Sequence, residues 1–145
     1  MKTYFDMDGV LADFDGQPNA LERFDKEKGF FQKLKPTKLV KGLNRQLAEN
    51  NENIYILTAS PNEQADIDKV LWLYEYVPNI KPENIVIVRN GKDKAQYAKD
   101  NILIDDYSDN LLYWEKMGGI GIKCLNGNNG KGRKWSKITL DITTI

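Results

Sequence analysis

The chain has 145 residues and a mass of 16.7 kDa, the size of one domain that can bury a core without covalent or metal staples. Lysine plus arginine and aspartate plus glutamate balance at 21 each, so no net field draws the chain toward nucleic acid or an anionic membrane. Histidine is absent and cysteine occurs once, at Cys124, which excludes Ser-His-Asp and Cys-His catalysis, histidine-ligated zinc and an intramolecular disulfide.

The chain opens MKTYFDMDG, with an aspartate at position 6, and no run reaches the ~18 apolar residues of a membrane helix. The expectation is a soluble, cytoplasmic protein with no membrane partner. Tyr4-Phe5 runs into Asp6 as a first short strand. Between Gly16 and about Lys35, Ala20, Leu21 and Phe24 suggest a short helix and Phe30-Phe31 a packing contact. Leu39, Leu43 and Leu47 repeat at four-residue steps and predict an amphipathic helix. Ile54–Leu57 is the second strand, ending at Thr58. Ser60-Pro61-Asn62-Glu63 then reads as an N-cap, a first-turn proline and a capping-box glutamate. Ile67, Val70, Leu71 and Tyr74 mark the apolar face of the helix that follows. Ile85–Val88 ends at Arg89, Ile102–Ile104 ends at Asp105, and Ile120-Gly121-Ile122 is the last strand expected. Asn126–Gly132 is turn-forming and predicts a mobile loop. Strands alternating with helices predict a mostly parallel α/β sheet in a single domain, 1–145.

In such sheets ligands bind beyond the carboxyl ends of the strands. Three strand ends carry polar groups: Asp6-Met7-Asp8-Gly9, Thr58, and Asp105-Asp106, with Lys92 and Lys94 between the third and fourth strands. Aspartate is frequent enough here, at 13 residues, that an Asp-x-Asp pair alone means little. Asp66/Asp68 reads as a solvated helix face and Asp13/Asp15 as a solvated or capping loop. Asp6/Asp8 and Asp105/Asp106 differ because each closes an apolar strand, where an unpartnered carboxylate costs several kcal/mol. Four clustered carboxylates repel one another, and a divalent cation resolves the repulsion. Oxygen-only ligation without histidine or thiolate selects a hard ion, Mg²⁺. A nearby lysine and threonine would hold phosphate oxygens, so the pattern points to phosphoryl transfer.

At these residues the sequence resembles the haloacid dehalogenase superfamily, through Asp6–Phe14, Ile56-Leu57-Thr58, Lys94 and Leu103–Asp106. It resembles more narrowly the 5′(3′)-deoxyribonucleotidases and their bacterial and phage relatives, through DMDGVLADF (6–14), GFF (29–31), LTASP (57–61) and LIDD (103–106). The resemblance implies a three-layer, Rossmann-like parallel sheet with helices on both faces. It implies hydrolysis of a phosphomonoester, with Asp6 as nucleophile forming an aspartyl phosphate and Asp8 as general acid and base. Asp6, the Asp8 backbone carbonyl and the Asp105-Asp106 pair would hold Mg²⁺, with Asp106 the direct ligand and Asp105 in support. Thr58 and Lys94 would bind phosphate, with Lys92 the alternative lysine. Ser60 is left to capping, and Phe14 would lie under the substrate.

The family's large helical cap has no counterpart in length here. Residues 15–35 leave room for about one helix, a reduced cap without clear base-reading residues. A more open site would admit larger substrates or call for a partner subunit, such as a second copy of the chain. The expected substrate is a (deoxy)nucleoside monophosphate, the alternatives being a phosphorylated polynucleotide end or another small phosphomonoester. Lys123, Lys131, Arg133, Lys134 and Lys137, with Trp135 among them, read as a solvated loop or as a contact to a nucleotide or nucleic-acid end. A non-enzymatic phospho-acceptor like a response-regulator receiver also places Asp, Thr and Lys at strand ends. Its motif order differs, and it lacks an acid two residues after the nucleophile.

Overall fold

A computed structural model describes residues 1–129 and 135–145. Six strands form one sheet, every neighbouring pair parallel: β1 (Thr3–Phe5), β2 (Ile54–Ala59), β3 (Ile85–Val88), β4 (Ile102–Asp105), β5 (Ile120–Leu125) and β6 (Ile138–Asp141), in the order β3-β2-β1-β4-β5-β6. The sheet grows outward from β1 through β2 to β3, then the chain returns to lay β4 on the other side of β1. That reversal opens a crevice beyond the carboxyl ends of β1 and β4, the usual ligand position in doubly wound sheets.

Strand alternation sends side chains to two cores. Ile54, Ile56 and Ile104 join Val40, Leu43 and Leu47 of α2 (Leu39–Ala48) and Trp72 and Leu73 of α3 (Glu63–Tyr76) on one face. Tyr4, Leu57 and Leu103 join Leu111 and Trp114 of α4 (Ser108–Lys116) on the other. Helices therefore cover both faces, as expected. Between β1 and α2 the chain holds only the one-turn α1 (Ala20–Arg23) and a short 3₁₀ turn, Phe31–Lys33. Phe30 and Phe31 are fully buried there, packed edge to face with centroids 5.1 Å apart. No helix of the described residues is long and apolar enough to cross a membrane.

Four expectations are corrected. The cap of α3 is Asn62, whose side chain accepts the Ala65 N–H at 2.9 Å, so Ser60 and Pro61 precede the helix. The buried face of α3 is Ala65, Asp68, Lys69, Trp72 and Leu73, while Ile67, Leu71 and Tyr74 are 55%, 42% and 53% exposed. Asp68 is accordingly no solvated residue. It is buried, and its two oxygens accept the Gly29 N–H at 2.7 Å and the Gln64 amide at 3.0 Å. Finally, β5 runs on to Leu125, and β6 adds a sixth strand where no strand was expected.

Candidate active site

The loop after β1 folds back on itself: Leu11 and Ala12 both donate to the Met7 carbonyl at 2.9 Å, and the Gly9 N–H donates to Ala12 at 2.8 Å. This hairpin presents Asp6 and Asp8 beside the Asp105-Asp106 pair that ends β4. Gly9 takes φ of +81° there, and a Cβ on it would lie 2.1 Å from Asp106 Oδ2, so only glycine lets the two loops approach. Carboxylate oxygens of Asp6, Asp105 and Asp106 lie within 4.8 Å of one another.

The cluster is electrostatically strained. Burial, the Asp105 carboxylate and Asp8 push Asp6 up to about 7 against the opposing pull of Lys94. Burial, Asp6 and Asp105 also raise Asp106 well above the ordinary carboxylate range. Lys94 donates to Asp6 Oδ1 at 2.9 Å and to Asp105 Oδ2 at 2.8 Å. Burial alone would depress its ammonium, but the two carboxylates outweigh that and hold it above the usual lysine range. One lysine does not neutralise three acids. The remaining charge, the close oxygens and the glycine-backed approach of Asp106 fit a small hard cation.

The two members of the acidic pair play unequal parts. Asp105 is fully buried and saturated: it accepts from Lys94, from the Tyr107 N–H at 3.0 Å and from Asn110 at 3.2 Å. Asp106 is partly exposed and faces the cavity.

Asp8 lies two residues beyond Asp6. Lys69, on the buried face of α3, donates to Asp8 Oδ2 at 2.8 Å, to Thr58 Oγ at 2.8 Å and to the Ala59 carbonyl at 2.6 Å. Its ammonium also sits 4.4 Å from the centre of the Phe31 ring. Asp8 Oδ1, by contrast, is shielded from water and has no hydrogen-bond partner among the described residues.

These groups surround a cavity of about 560 Å³, within the range of small-molecule sites. Asp6, Asp8, Phe14, Lys94, Asp105 and Asp106 all line it. Thr58 is fully buried and bonded to Lys69, below the lining. Lys92 is exposed and outside it, whereas Lys94 is 1% exposed. Phe14 stacks on Phe31 at 6.3 Å and meets Phe24 and Phe30 edge to face, forming an aromatic wall. Arg89 lines the cavity as well, held by a bidentate pair with Asp66 at 2.8 Å. Sequence reasoning had no role for Lys69, because apolar periodicity puts Ile67, Val70, Leu71 and Tyr74 on the inner face of α3 and leaves Lys69 off it.

The basic C-terminal stretch divides. Lys123 is buried and donates to Ser108, Lys137 pairs with Glu115, and Trp135 packs into the α4-side core. None of the three lines the cavity. Lys131, Arg133 and Lys134 lie outside the described residues.

The fold is shared with solved hydrolase structures. A haloacid dehalogenase family hydrolase from Deinococcus radiodurans R1, with bound phosphate and sodium, superposes with a TM-score of 0.60 at 13% identity, over 87% of this chain and 81% of that one. The D,D-heptose 1,7-bisphosphate phosphatase from Burkholderia thailandensis gives a TM-score of 0.64 at 12% identity, over 98% and 93%. No curated protein sequence matches the chain. Residues 16–133 match the family described as 5′ nucleotidase, deoxy (pyrimidine), cytosolic type C. With its fold and that match, the chain belongs to the cytosolic type C 5′-nucleotidase family and is a phosphoric monoester hydrolase of the haloacid dehalogenase superfamily.

Proposed function

We propose that the protein is a Mg²⁺-dependent phosphatase of (deoxy)nucleoside monophosphates that works through an aspartyl phosphate on Asp6. The observation that carries this reading is the convergence of the Asp6, Asp105 and Asp106 oxygens within 4.8 Å, beside an Asp8 that lines the same cavity. Asp6, Asp106 and the Asp8 backbone carbonyl would hold the cation, with Asp105 fixed in support by Lys94, Tyr107 and Asn110. When bound, Mg²⁺ would neutralise the acidic cluster and draw charge from the phosphoryl oxygens.

In the first step an Asp6 carboxylate oxygen attacks phosphorus, the bond from phosphorus to the ester oxygen breaks, and Asp8 gives that oxygen a proton. In the second, Asp8 takes a proton from water, whose oxygen attacks phosphorus. The bond to Asp6 breaks and inorganic phosphate leaves. Lys69 anchors Asp8 through Oδ2, on a side chain 22% exposed toward the cavity, and so would hold that carboxyl in place for the proton transfers. Lys94, Lys69 and Thr58 place positive charge and a hydroxyl beneath the transferring group. Phe14, in its aromatic wall, would receive the nucleoside, and residues 15–35 would serve as a one-turn cap.

Phosphate release is the test. Nucleoside monophosphates should be hydrolysed with Mg²⁺ and not with chelator, and Asp6→Asn should abolish turnover. A broad phosphomonoester panel without turnover would overturn the reading. Faster turnover of a phosphorylated oligonucleotide than of the mononucleotide would reassign the substrate to polynucleotide ends.

A further inference from the structure

The turn Asn126–Asn129 follows β5, more than a hundred residues from the loop after β1, yet it is bonded to that loop and to the end of β4. The Asn126 side-chain amide donates to the Gly9 carbonyl at 2.8 Å. The Asn129 amide donates to the Asp106 carbonyl at 3.0 Å and to the Cys124 carbonyl at 2.7 Å. The turn is itself braced: the Asn126 N–H donates to Asn129 Oδ1 at 3.1 Å and the Asn128 N–H to Asn126 Oδ1 at 2.9 Å. One compact unit therefore grips the backbone of Gly9 and of Asp106 at once. Those are the two points that meet where a Gly9 Cβ would strike Asp106 Oδ2.

The expectation of a mobile loop from Asn126 to Gly132 does not hold for its first four residues. A loop with no task has no need of two asparagine amides spent on carbonyls of distant elements. We infer that the Asn126–Asn129 turn is a positioning element of the cation site, fixing the separation of the Asp8-Gly9 and Asp106 backbones without supplying a ligand. The inference rests on the reading of Asp6, Asp106 and the Asp8 carbonyl as the cation's holders. Groups that hold ligands in place by hydrogen bonds typically change metal affinity 10–100-fold when removed. Each asparagine should act in that range.

Calorimetric titration of Mg²⁺ into metal-free protein tests the inference without substrate. Asn126→Ala and Asn129→Ala should each weaken Mg²⁺ binding at least about tenfold. The control is Asn44→Ala, which breaks a bond of similar length, 2.7 Å to the Tyr76 carbonyl, away from the site. It should lower the melting temperature comparably and leave the Mg²⁺ affinity unchanged. Coupling is reciprocal, so Mg²⁺ must also slow amide exchange of Asn126 and Asn128 in the wild-type protein, a measurement that needs no variant. Wild-type affinity in both alanine variants, or unchanged exchange at those amides, overturns the role of the turn alone. Absence of Mg²⁺ binding to the wild-type protein overturns both this inference and the cation reading beneath it.

Discussion

Replacing Lys69 with methionine separates structural from chemical roles at the site. Methionine fills nearly the same space, so the change removes an ammonium and its three hydrogen bonds, to Asp8, Thr58 and the Ala59 carbonyl, with little loss of packing. A fully buried ion pair stripped of one partner costs ~3–5 kcal/mol. Here the Asp8 side chain is 22% exposed at the cavity and takes up water, leaving chiefly Thr58 and the Ala59 carbonyl to bear the loss. The expected destabilisation is therefore the ~1–3 kcal/mol of an unsatisfied polar group. For a chain of this length that lowers the melting temperature by roughly 3–10 °C. The effect on catalysis is larger, because a preorganised charge beneath the transferring phosphoryl group is lost and Asp8 is no longer held; turnover should fall ~10²–10³-fold. Thermal melts and steady-state phosphate release on the same preparation read both quantities. Turnover within about threefold of wild type, with the melting temperature lowered as expected, would refute the chemical role and leave Lys69 a packing residue.

Three further outcomes follow from the geometry. In metal-free protein Asp6 is raised to about 7, so folding disfavours its charged form, and that penalty grows as pH rises from about 4 to about 7. Asp6→Asn removes the penalty, and its melting temperature relative to wild type should climb across that window; a gap that narrows instead would reverse the sign of the argument. Gly9→Ala forces a side chain into φ of +81° and against Asp106 Oδ2, and calorimetry should find Mg²⁺ binding lost even where the variant still melts cooperatively. Asp68→Ala frees the Gly29 N–H and loosens the segment carrying Phe30 and Phe31. It should cost ~1–3 kcal/mol in a denaturant titration and raise KM more than it lowers kcat, whereas Asp68→Asn, which keeps an acceptor, should do neither.

How much of this was legible varied with the kind of signal. The ends of β1 and β4 were readable because a charged residue closing an apolar strand is an anomaly that only a partner or a task explains. The choice of Lys94 over Lys92 was not readable, since both flank Asp93 in a polar stretch; only the 3₁₀ turn from Gly91 to Tyr97 decides which one points inward. Helix α3 was assigned its face from Ile67, Val70, Leu71 and Tyr74, yet the competing face of Ala65, Trp72 and Leu73 carries Asp68 and Lys69. Apolar counting rejects that face because of those two buried charges. The cap lies two residues beyond the expected one because Ser60 and Asn62 are both good caps and only backbone geometry separates them. Strand β6 has just four residues, none of them deeply buried, so neither length nor alternation rises above the surrounding polar sequence.

The stretch between β1 and α2 contains a single turn of α-helix, and Leu21 on it stands 79% exposed at the rim of the cavity. A site covered by one turn rather than by a helical domain has no large closure to wait for. Its maximal rate should be indifferent to solvent viscosity, which slows lid-gated enzymes. Its phosphorylated aspartate would also stand within reach of solutes other than water. Small alcohols added to the assay should then compete for the phosphoryl group and yield alkyl phosphates, a side reaction that closed active sites suppress.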